Sequence, residues 1–85
     1  MAESTNNGQT YMTAKPRLRA FYGSEESDGA TYSDIARAVE GGMGAKTVAS
    51  VLKGGRCTRK TAVRILKGCR ALGYKGSVMD SFDEN

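Results

Sequence analysis

The segment Gly41-Gly-Met-Gly44 constrains this chain more than any other. Before it, the run from Thr31 to Val39 places Tyr32, Ile35, Ala36 and Val39 on one face at helical spacing. After it, Lys46-Thr-Val-Ala-Ser-Val-Leu52 turns Val48, Val51 and Leu52 to one side in the same way. Adjacent glycines cost about 1 kcal/mol each inside a helix, so an unbroken rod through residues 31–52 is disfavoured. Two short amphipathic helices joined by a tight turn are expected instead. Small residues at the joint serve a second end, because they let the second helix cross the first closely.

A third helix is expected close behind, roughly Arg59 to Leu72, capped by Thr58. Ala62, Ile65, Leu66, Cys69 and Leu72 form its buried stripe, and Gly73 stands where a left-handed C-terminal residue belongs. Gly68 inside this helix runs against propensity, which close helix packing would explain. Thr31 and Asp34 have the spacing of a capping box. Tyr74 is expected to fold back onto the core. Upstream, Leu18, Phe21 and Tyr22 fit a short helix beginning near Pro16, although the alternation Arg17-Leu18-Arg19 fits a strand nearly as well. The expected fold is all-α: a compact helix-turn-helix DNA-binding domain of three core helices with short N- and C-terminal extensions. Residues 1–13 are expected to be a flexible N-terminus, 14–76 the domain, and 77–85 an acidic tail with a possible dimer contact.

Eighty-five residues make one small domain, near the lower size limit for folding alone, where dimerisation often helps. No apolar run approaches the roughly 18 residues of a membrane span, and Met1-Ala-Glu-Ser-Thr lacks the basic-then-apolar form of a secretory signal. A cytoplasmic protein without membrane contact is expected. Cys57 and Cys69 are the only cysteines, and there is no histidine. Placed at the two ends of the third helix they would lie about 18 Å apart, beyond the roughly 7 Å between Cα atoms that a disulfide allows. Two thiols without histidine make a poor zinc site, so neither metal nor cofactor is expected. With no phosphate-binding loop and no acid/base constellation, the chain does not read as an enzyme.

Charge is unevenly spread. Residues 31–76 carry ten basic side chains against Asp34 and Glu40, net +8, whereas the flanks are net acidic and bring the chain to +4. A basic centre suits a polyanion, whose neutralised phosphates release counterions. If the second helix docks by its N-terminus into a DNA major groove, Ala45, Lys46, Ala49 and Ser50 come nearest base edges. Lys46 can donate to guanine, Ser50 can bond several edges, and an alanine can meet a thymine methyl. Lys53 should reach phosphate, and Thr58, Arg59 and Lys60 combine a hydroxyl, a helix N-terminus and two cations into a phosphate clamp.

The ordered set Thr31-x-x-Asp34-Ile35-Ala36, Thr47-Val48-Ala49-x-Val51-Leu52, Thr58-x-x-Thr61 and Ala71-Leu72-Gly73-Tyr74 resembles the headpiece of lactose-repressor-type regulators. It covers about half the chain. The resemblance implies base reading by Ala45, Lys46 and Ser50, and phosphate contacts by Thr31, Thr47 and the Thr58–Thr61 segment. The turn here is about two residues longer, and Ser50 stands where that family usually has arginine. Nothing after Tyr74 matches its hinge helix or sugar-binding domain, so no small-molecule effector is expected.

The leading expectation is a sequence-specific repressor, in the manner of compact plasmid or phage regulators, binding double-stranded operator DNA as a homodimer. One reading helix discriminates poorly, and two on a palindrome multiply specificity. Dimer contacts are expected from Leu18, Phe21 and Tyr22 or from Val78, Met79 and Phe82, apolar groups outside the three-helix core. The alternative is a helix-turn-helix-derived, protein-binding antagonist of another regulator with no operator of its own; basic positions on the second helix argue against it. A non-specific architectural or RNA-binding protein is disfavoured, since no aromatic platform interleaves with the cations.

Overall fold

A computed structural model describes residues 11–84. In chain order these form β1 (Tyr11–Ala14), α1 (Pro16–Arg19), α2 (Tyr32–Ala38), α3 (Ala45–Leu52), β2 (Cys57–Thr58), α4 (Arg59–Ala71), α5 (Val78–Ser81) and β3 (Phe82–Glu84). The all-α expectation is therefore overturned. The three expected core helices are present as α2, α3 and α4, but among the described residues they share the fold with a three-stranded antiparallel sheet ordered β2-β1-β3. Tyr11 pairs with Thr58 and Met12 with Cys57 on one side of β1. On the other side Met12, Thr13 and Ala14 pair with Glu84, Asp83 and Phe82.

The sheet redraws the expected boundaries. Residues 1–10 of the supposed N-terminal extension lie outside the described residues, but Tyr11–Ala14 is the central strand, with Met12 and Ala14 facing inward. The expected acidic tail begins as a capped turn of helix, in which Ser77 and Asp80 make a capping box, and ends as the edge strand β3. Leu18, Phe21 and Phe82, expected at a dimer contact, are 0%, 1% and 3% exposed. They pack inside the chain's own core, because the first and last described segments, through β1 and β3, close against the helices. Of that expected group only Tyr22, Val78 and Met79 keep accessible surface, and Met79 is 77% exposed.

The helices follow the sequence closely. Thr31 and Asp34 form the capping box of α2. The α2 helix breaks before Gly41 and Gly42, whose φ angles of 82° and 80° are left-handed, a region glycine enters without steric cost. Both α3 and α4 close in Schellman turns: Gly55 N donates to Ser50 O and Gly54 N to Val51 O, while Tyr74 N donates to Cys69 O and Gly73 N to Arg70 O. Tyr74 does fold back, edge-on to Phe21 at 5.2 Å between ring centroids. Gly68 packs closely against α2 and its C-terminal cap Val39. A Cβ there would stand 2.9 Å from Val39 Cγ2 and 3.2 Å from Ile35 O, so only a glycine lets the two helices meet at this spacing. Cys57 lies in β2 rather than at a helix start, and both cysteines are buried free thiols.

Candidate nucleic-acid interface

The α3 helix buries Val48, Val51 and Leu52 against α2 and the core. Its opposite face, one turn apart at Lys46 and Ser50 with Thr47 beside them, is exposed. Gly54 and Gly55 end α3 sharply and return the chain to β2, which the sheet pins beside α3. The result is a groove of ≈ 370 Å³ between α3 and the start of α4, lined by Lys46, Thr47, Ser50, Arg56, Thr58 and Thr61 among others. Two cations and four hydroxyls face this hollow. A larger hollow of ≈ 520 Å³ lies beside α2, but Asp28 and Asp34 oppose Arg37 there, a mixed lining that does not suit a polyanion.

The groove collects some of the expected residues and omits others. Lys46, Ser50, Thr47 and Thr58 line it. Ala45 and Ala49 are half-buried, Ala45 against the core. Lys53 sits at the far end of α3, its Nζ 5.9 Å from the centroid of the Tyr32 ring, which stacks on Tyr22. Thr31 is outside the groove and its hydroxyl is occupied, accepting from Asp34 N and donating to Asp34 Oδ2 at 3.1 Å. Arg59 and Lys60 are exposed on the first turn of α4, just beyond the lining. Arg59 Nη1 lies 3.4 Å from Glu84 Oε2, so the edge strand β3 lays a carboxylate beside this expected phosphate ligand. Arg56 was not singled out from the sequence, whereas Thr61 entered only as the end of the Thr58–Thr61 segment that the resemblance implies. Arg56 falls in a loop without periodicity and packs its guanidinium 5.7 Å from the Tyr11 ring centroid.

Helix ends set the local electrostatics. The α2 and α5 helices each hold a carboxylate in the first turn. Asp34 and Asp80 both lie below the ordinary 3.8, Asp34 chiefly through the Thr31 backbone N–H and Asp80 chiefly through the Ser77 hydroxyl. The α3 and α4 helices do the opposite. Neither has an acidic residue in its first turn, and α3 has no side-chain cap at Gly44. Lys46, Arg59 and Lys60 occupy those turns instead, where a cation opposes the macrodipole by about 0.3–1 kcal/mol. An anion against both ends would reverse that penalty and take up the leading backbone N–H groups.

Burial pushes the Cys57 thiol up and the Cys69 thiol to about 12, so Cys57 borders the groove as a neutral thiol. Comparison of the chain with known protein families, curated proteins and solved structures returned no match. The likeness to lactose-repressor-type headpieces accordingly stands on the motif residues alone. Among the described residues no helix is long and apolar enough to cross a membrane.

Proposed function

We propose that this protein is a sequence-specific DNA-binding transcriptional repressor, occupying palindromic operators as a homodimer and reading them with α3. The observation that carries this reading is the pairing of two helix N-termini, α3 and α4, that hold cations and no carboxylates around one hydroxyl-lined groove. Such an arrangement concedes stability in the free protein and recovers it against phosphate. Lys46 and Ser50 contact base edges; Thr47, Arg56, Thr58, Arg59, Lys60 and Lys53 contact the backbone. Repression is steric, by occupancy of promoter DNA. The dimer contact is assigned to Val78 and Met79 on α5, the expected interface residues with Tyr22 that stay accessible once Leu18, Phe21 and Phe82 are enclosed.

Selection of binding sites from random DNA, with footprinting of the enriched duplex and sedimentation of the complex, tests the reading. A palindrome with half-sites one helical turn apart, about 34 Å, bound by two chains is the expected result. Absence of enrichment overturns it and favours a protein-binding antagonist of another regulator.

A further inference from the structure

Arg64 stands on the face of α4 that meets α2. Its Nη2 donates to two backbone oxygens of the turn, Glu40 O at 3.2 Å and Gly42 O at 2.9 Å. A Cβ on Gly41, the residue between them, would lie 3.5 Å from the same nitrogen, so the guanidinium is packed directly against the turn. Gly68, one helical turn further along α4, makes the close contact with Val39 and Ile35. The α4 helix thus grips the end of α2 and the following turn at two points four residues apart. Among the described residues Arg64 has no carboxylate partner. Its charge is spent on two carbonyl oxygens of the turn that follows the Val39 cap of α2.

The turn needs such a hold. Between Ala38 and Ala45 three of six residues are glycine, and a glycine-rich link carries the largest backbone entropy to be fixed. The direction in which α3 leaves it decides where Lys46 and Ser50 sit. We infer that Arg64 is a positioning residue: by tying Glu40 O and Gly42 O to α4 it fixes the bearing of α3, and so the discrimination between operator and random DNA, without touching DNA itself. This inference rests on the DNA-reading function proposed above.

Arg64→Met removes the donors while keeping most of the stem that packs against the turn, and Arg64→Lys returns one donor. With the full chain, binding to the selected duplex and to random DNA is measured between about 50 and 200 mM salt, and amide exchange is followed at Gly42, whose N–H donates to Val39 O at 2.9 Å. Arg64→Met is expected to lower the operator-to-random ratio about tenfold, to leave the slope of log affinity against log salt unchanged, and to speed exchange at Gly42. Arg64→Lys is expected to recover part of the ratio. A slope reduced by about 0.9 with an unchanged ratio would make Arg64 a phosphate contact and overturn the inference. So would an unchanged ratio with unaltered exchange. If the native chain prefers no duplex, the proposed function fails, whereas a native chain with an operator and an indifferent Arg64→Met defeats only the clamp.

Discussion

The hydroxyls of Tyr74 and Ser81 meet at 2.6 Å inside the core. Ser81 Oγ also lies 2.6 Å from Ser77 O, to which it donates its single proton, so Tyr74 is the donor of the buried bond. This fixes the chain after α4 onto α5 and aims β3 at the edge of β1. The two truncations are therefore unequal. Tyr74→Phe leaves Ser81 still donating and should cost about 0.5–1.5 kcal/mol of unfolding free energy. Ser81→Ala strands a buried phenolic donor and should cost more, about 1–3 kcal/mol. Urea unfolding of both single variants and the double variant checks this, and a Tyr74→Phe cost exceeding that of Ser81→Ala would reverse the donor assignment.

The helices were legible because their signals are local. The Thr31–Asp34 box, the glycine break and the stripe from Ala62 to Leu72 each lie within a few residues, and each formed where expected. The sheet was not legible. Its strands are four, two and three residues long, too short for alternation to declare itself, and their pairing joins Tyr11 to Thr58 and Ala14 to Phe82. Leu18, Phe21 and Phe82 then looked surplus to a three-helix core and were read as interface. At the candidate site, Lys46 and Ser50 could be placed from the period of α3. Arg64 could not, since a side chain bonding to backbone carbonyls 22 and 24 residues away leaves no pattern in composition or spacing.

On the proposed function, Lys46 and Lys60 should separate specificity from affinity. Lys46 projects from the exposed face of α3 into the groove, and Lys60 stands on the first turn of α4 outside it. Lys46→Ala should weaken binding to the selected operator by about 1–3 kcal/mol and random DNA far less. Lys60→Ala should weaken both alike and lower the salt slope by about one phosphate contact. Titrations of each variant against both duplexes at several salt concentrations decide. An intact preference in Lys46→Ala would show that α3 is not the reading element.

On the proposed function, Glu84 would compete with phosphate for Arg59. Their ion pair, 3.4 Å long, is more than half exposed on both sides, so it adds little to folding. It does place negative charge beside a proposed backbone contact. Glu84→Gln should raise affinity for random DNA about two- to fivefold at low salt, with the gain fading as salt rises. Thermal unfolding should move little. Unchanged or weaker DNA binding would remove Arg59 from the interface.

The two thiols give a pH signature of the core. Burial raises the Cys69 thiol from 9.0 to about 12 and shifts Cys57 in the same direction. For an acid whose folded pKa lies above its unfolded value, the unfolded chain loses its proton first. Stability contributed this way is complete below pH 9.0 and declines as pH climbs toward 12. The slope approaches about 1.4 kcal/mol per pH unit for each such group. Unfolding measured between about pH 8 and 10.5 in the native chain and in Cys69→Ala isolates this contribution from other groups titrating there, since only Cys69 differs. The variant should start less stable through lost packing yet fall less steeply with pH. Alkylation at neutral pH should spare Cys69, which is fully enclosed, and modify Cys57 at the rim of the groove only slowly. Equal slopes for the two proteins, or rapid labelling of Cys69 in the folded state, would mean that the core does not close over this face of α4.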